Sequence, residues 1–95
     1  MTHDPTLQPD ADVRWQIDAD AQLKLRFWED ECIVYHGAAG DTHRVPGLVG
    51  SMLQCLMQGE AWTAAALSEG IDLHIDDVHT SLTSMHRLGI VHRLA

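Results

Sequence analysis

Pro46 divides this chain into two stretches with different hydrophobic periods, and that change restricts the folds open to it. Before the proline the pattern repeats every second residue. In Leu23-Lys24-Leu25-Arg26-Phe27-Trp28, Leu23, Leu25 and Phe27 fall on one face of an extended strand, and Lys24, Arg26 and Trp28 on the other. Glu29-Asp30-Glu31 makes a polar turn. Cys32-Ile33-Val34-Tyr35-His36 is rich in strand formers, and Gly37 to Asp41 is a loop of hairpin length. Thr42 to Val45 can then return as a short third strand. Pro46 has no amide donor, so it ends that strand; it also keeps Val45 extended and suits the first position of a helix.

After Pro46 the period is helical. Leu48, Met52, Leu53, Leu56 and Met57 follow a 3.6-residue spacing, and Gly59 ends the run. Thr63 is an N-cap for a short second helix through Ala64-Ala65-Ala66-Leu67, which Gly70 closes. A turn through Ile71 and Leu73 leads to a third helix from Ile75, with Ile75, Val78, Leu82 and Met85 as its apolar stripe. Asp76 and Asp77 suit its first turn and Arg87 its last, and Gly89 is its C-cap. Ile90 to Leu94 form a short extended tail. The expectation is an α+β fold: a three-stranded antiparallel sheet followed by a three-helix bundle. The last two helices, joined by a tight turn, resemble a helix-turn-helix pair.

A chain of 95 residues with 45% hydrophobic content supports one small core and one domain. Residues 1–13 are polar and carry Pro5 and Pro9, which predicts a disordered arm before a domain over 14–95. The longest uncharged stretch, Val45 to Gly59, includes Pro46 and three glycines, so no membrane span is expected. The N-terminus has no basic region followed by an apolar run. Cys32 and Cys55 read as two buried thiols, and the expected location is cytoplasmic.

The formal net charge is −8, and the six cations, Arg14, Lys24, Arg26, Arg44, Arg87 and Arg93, are scattered in sequence. Phosphate neutralisation needs clustered Lys and Arg. The third helix carries two aspartates and one arginine where a recognition helix needs groups for bases and phosphates, so no nucleic-acid partner is expected. Seven histidines invite a metal reading, but His79 and His86 are spaced by seven and no Cys-x-x-Cys or His-x-x-x-His occurs. Asp41, His43, Ser51 and Cys55 are catalytic residue types. Nothing around them supplies a nucleophile elbow or a Gly-rich turn, so neither enzyme activity nor a cofactor is expected. Phe27, Tyr35 and Trp62 occupy periodic or capping positions that suit a core; Trp28 alternates outward, and Trp15 can pin the arm to the sheet.

Several of these segments together resemble a known family. Trp15, Phe27-Trp28, Ile33-Val34-Tyr35 and Gly40-Asp41-Thr42-His43 resemble the first half of PqqD-like proteins. Leu56-Met57-Gln58-Gly59, Trp62-Thr63, Ile75-Asp76-Asp77-Val78 and Leu88-Gly89-Ile90-Val91 resemble the second half, so the likeness spans about residues 15 to 94. It is nearest to small PqqD-like peptide chaperones associated with proteins related to HPr kinase. The resemblance implies a winged-helix-like, non-enzymatic module that recognises the leader segment of a ribosomally made precursor peptide and presents it to a modifying enzyme or an HPr-kinase-related protein. It also implies that the leader adds as a strand beside Thr42, His43, Arg44 and Val45, in a groove walled by His79, Thr80, Thr83, Ser84 and Arg87. The chain departs from the family pattern in its short third strand and in Pro46-Gly47. An open sheet edge can template an incoming strand, and it equally allows a second copy to pair as a homodimer. A winged-helix transcription regulator and an interaction subunit of a larger enzyme complex are the competing readings.

Overall fold

The computed structural model describes residues 13–94. The proposed arm at residues 1–13 therefore lies outside the described residues, apart from Val13. Over the described residues the chain is α+β, with nine elements in the order β1 (Arg14–Ile17), β2 (Leu23–Trp28), β3 (Glu31–His36), β4 (Asp41–Pro46), α1 (Gly47–Leu56), β5 (Trp62–Thr63), α2 (Ala64–Ile71), α3 (Ile75–Arg87) and β6 (Val91–Leu94).

The central hairpins follow the period-two pattern. β2, β3 and β4 form an antiparallel sheet in that order, with Leu25 opposite Val34 and Val34 opposite His43. The third strand is not short: it spans six residues, matching β3, and Pro46 itself pairs with Glu31. Pro46 is accordingly the N-cap of α1 rather than its first residue, with extended φ −56° and ψ 149°. Gly47 takes the first helical position and donates its amide to the Asp30 carbonyl at 2.7 Å, which ties the helix start to the β2–β3 turn.

A second sheet corrects the expected architecture of one sheet followed by a bundle. Its order is β5-β1-β6, all antiparallel. The extended tail is β6, which pairs residue for residue with β1, and Trp62-Thr63 is both a strand and a helix entry. Thr63 caps α2 as its side-chain oxygen accepts from the Ala66 amide at 3.1 Å. Gly70 does not close α2. The helix runs on to Ile71, and Asp72 takes the left-handed turn at φ 54°. α3 starts at Ile75 with His74 as its cap, Nδ1 accepting from the Asp76 amide at 3.1 Å. At its other end Gly89, at φ +79°, donates to His86 and Ile90 donates to Met85, the paired bonds of a Schellman stop.

The core lies between the inner face of the central sheet and the helices. Cys32, Val34 and Val45 meet Val49, Met52, Leu53 and Leu56 of α1, while Leu67, Val78, Leu82 and Met85 continue it through α2 and α3. α2 packs against both other helices, and α3 rests against β6. Trp15 of β1 joins this core at 4% exposure, and Val91 of β6 is buried with it. Two aromatic expectations are corrected: Phe27 is 43% exposed and Tyr35 40% exposed. Tyr35 follows the outward phase of β3, whose buried positions are Cys32, Val34 and His36. Phe27 ends the inward row of β2 at the margin of the sheet, its ring over Gly50. Cys55 is half-buried, so only Cys32 is a fully buried thiol, and both are free. Among the described residues no helix is long and apolar enough to cross a membrane.

Candidate functional site

Among the described residues the inner faces of the helices and of the central sheet pack into the core, which leaves strand edges and exposed faces for a site. β4 has β3 on one side and no described strand on the other. Its side chains alternate. Thr42 and Arg44 are exposed on the outer face of the sheet, while His43 and Val45 turn inward, half-buried and buried respectively. The Arg44 Nε lies 3.2 Å from a Glu31 carboxylate oxygen, one strand across. That exposed pair holds the guanidinium over the outer face rather than across the open edge. His43 Nε2 is withdrawn from solvent without a hydrogen-bond partner, a state worth about 1–3 kcal/mol against the fold unless a partner arrives.

The α3 residues assemble as their helical spacing requires. His79, Thr80, Thr83, Ser84 and Arg87 line one shallow depression of about 310 Å³. Thr80 donates its hydroxyl to the Asp76 carbonyl at 2.9 Å, which occupies one of the polar groups along that wall. No β4 residue lines this depression, and no α3 residue lines the one that Arg44 enters. The nine predicted residues thus form two separate surfaces, an edge strand and a helix flank.

The sheet's outer face was not anticipated as a surface in its own right. Arg26, Trp28, Glu31, Ile33, Tyr35 and Arg44 line a depression of about 320 Å³ on it. The alternation of β2 gives two of these six, Arg26 and Trp28, and β4 gives Arg44. The other three, Glu31, Ile33 and Tyr35, need the phase of β3, hidden in a run where Cys, Ile, Val and Tyr are all apolar.

Among the described residues no three His, Cys, Asp or Glu side chains come together as a metal cage. His86 Nδ1 lies 3.2 Å from the Val91 carbonyl and its ring meets Trp15 edge-on at 6.0 Å, so it is engaged in packing α3 onto the second sheet. Burial pushes the Cys32 thiol above its ordinary pKa, partly offset by a hydrogen bond from the Arg26 backbone, which is the opposite of an activated nucleophile. No family model matches this chain, and no curated protein or solved structure matches it either.

Proposed function

We propose that this chain is a non-enzymatic, PqqD-like peptide-binding module of winged-helix type, which captures the leader segment of a precursor peptide by strand addition at β4 and presents it to a modifying enzyme. The observation that carries this reading is the open edge of β4: six residues of extended main chain, paired on one side only among the described residues. An unpaired edge offers alternating N–H and C=O groups to an incoming strand. Natural edges are commonly blunted by charge. The opposite edge, β2, carries Lys24 and Arg26, whereas the one cation of β4 is held by Glu31 over the sheet face. Pro46 ends the open run and so limits a ligand strand to the stretch before α1. The hydroxyl-bearing flank of α3 supplies a second wall of small side chains. Asp76 and Asp77 at the start of α3, with Arg87 its one Lys or Arg, weigh against duplex DNA as the ligand.

The test is an amide NMR titration of the chain with candidate leader peptides. Shifts should appear across residues 41–46, with smaller ones across 76–87. Binding that leaves 41–46 unperturbed would overturn strand addition. Proline substitution sharpens the result, because amides along a strand point alternately to its two sides. Of His43→Pro and Arg44→Pro, one should break the β3 ladder and lower stability. The other should leave the fold intact and abolish peptide binding.

A further inference from the structure

The outer face of the central sheet is a three-by-three grid set by the strand register. One row is Lys24, Tyr35 and Thr42; the next is Arg26, Ile33 and Arg44; the third is Trp28, Glu31 and Pro46. Three of the six Lys and Arg residues of a chain with net charge −8 therefore share one nine-residue face. They stand around an apolar floor that no element among the described residues covers: Trp28 is 58% exposed, Tyr35 is exposed and Ile33 is half-buried. The Arg26 guanidinium lies 5.7 Å from the centre of the Trp28 ring, which holds both groups outward from the sheet. Cations concentrated on one face of an acidic molecule, over exposed aromatic surface, mark a place for a ligand of opposite charge with some apolar character.

We propose that this face docks an acidic peptide segment in extended conformation, as a surface distinct from the β4 edge. Its carboxylates would meet Lys24, Arg26 and Arg44, and its apolar side chains would lie on Trp28, Ile33 and Tyr35. The spacing suits such a ligand. Side chains on one face of an extended chain repeat every ~7 Å, the same interval that separates Lys24 from Arg26 along β2. Charge also separates this ligand from a nucleic acid. The face carries Lys24, Arg26 and Arg44 against Glu31, three positive and one negative for a net of +2, and the Glu29-Asp30 turn lies at its margin. A polyphosphate would meet too few cations there and would be repelled at that end. A segment bearing two or three carboxylates is matched to it.

Glu31 is the built-in competitor, because it already occupies Arg44 at 3.2 Å. Removal of this one negative charge should therefore tighten binding. The test is fluorescence anisotropy of the full chain with a short fluorescein-labelled peptide in which two glutamates and then two valines occupy every second position, with serine between them, so that all four face the sheet when the peptide is extended. A lysine–valine peptide and a single-stranded ribonucleotide oligomer of equal charge serve as comparisons. The glutamate peptide should bind saturably and lose affinity as salt is added, while the lysine peptide should not bind. Lys24→Glu with Arg26→Glu should weaken binding by about tenfold, and Glu31→Gln should strengthen it by roughly two- to fivefold, the range that one exposed ion pair is worth. Equal affinity in the charge-reversed variant, or tighter binding of the ribonucleotide oligomer, overturns the proposal. So does a concentration-dependent dimer that the glutamate peptide fails to dissociate, since a second copy would then own the face. Should the reversed variant not fold, amide shifts of the unaltered chain decide: perturbation at Lys24, Arg26, Ile33 and Tyr35 supports the face, and perturbation confined elsewhere refutes it. The variants on β2 lie away from the β4 edge, so failure here and failure of strand addition read out separately.

Discussion

Cys32 and Cys55 differ in a way that the sequence does not disclose. Both precede apolar residues, Ile33 and Leu56, but Cys32 lies at an inward position of β3 under α1, while Cys55 is half-buried on α1. Because the thiolate is the reactive form, burial protects Cys32 twice, by blocking access and by raising its pKa. Alkylation of the native chain should modify Cys55 and leave Cys32 free until denaturant is added; equal rates at the two sites would contradict the burial. The sign of the linked pH effect follows. The folded state prefers the protonated thiol, so the unfolded chain loses its proton first as pH rises. The contribution of Cys32 to stability is intact below the ordinary thiol value and declines above it as the folded pKa is approached. Other residue-scale features were legible because their cause is local. Thr63 as a cap, the aspartates in the first turn of α3 and Gly89 at its end each follow from helix-end chemistry. His36 was not legible, since a histidine at a buried strand position with Nδ1 unpartnered violates the rule that would have been used to place it.

At the scale of elements, the closeness of α1 to the sheet depends on Gly50. Glycine inside a helix usually costs about 1 kcal/mol relative to alanine, so Gly50→Ala would ordinarily stabilise. Here a Cβ would strike the Cys32 Cβ, come within 2.6 Å of its sulfur, and approach the Phe27 ring at 2.9 Å. α1 must then lift from β2 and β3, and overpacking of this kind costs about 1–3 kcal/mol or more. Gly50→Ala is therefore expected to destabilise by about 1–2 kcal/mol net in urea denaturation, against the direction of helix propensity. A gain in stability would show that helix and sheet can separate freely. The same close approach explains part of the Phe27 surprise. Alternation correctly puts its side chain toward α1, but it cannot report that the helix presents a glycine there and that the ring ends at the margin of the sheet. β4 was underestimated for a related reason. Proline ends a strand that is paired on both sides, yet at an edge, proline at the last paired position sacrifices no necessary donor.

The whole molecule is closed by the pairing of its first and last described strands, and this is where sequence reading was weakest. β1 and β6 are four residues each, β5 is two, and none is long enough for a period-two pattern to stand out. Their partners lie 74 residues apart for Ile17 with Val91 and 80 apart for Arg14 with Leu94, so no local signal links them. Trp15 hinted at an anchor, but its destination depends on tertiary structure. In the folded chain β1 is the central strand of its sheet, and Asp18 donates to the Ile90 carbonyl at 2.9 Å just beyond the β1–β6 ladder. The Arg93 guanidinium sits 5.9 Å from the centre of the Trp15 ring. Removal of the chain after Ile90 would delete the buried Val91, worth about 1.5–3 kcal/mol, and strip β1 of its main partner. Against a total stability of about 5–15 kcal/mol for a domain, that loss should be severe. The truncated chain is expected to unfold at much lower urea, with Trp15 emission shifted toward that of water-exposed indole. Hydrogen exchange on the intact chain tests the same point without truncation. If β1 and β6 close the fold, the ladder amides of Gln16 and His92 should exchange only at the rate of global unfolding. Exchange there as fast as at the exposed Gly37–Gly40 turn would mean that the second sheet opens on its own, leaving the central sheet and helices to fold without it.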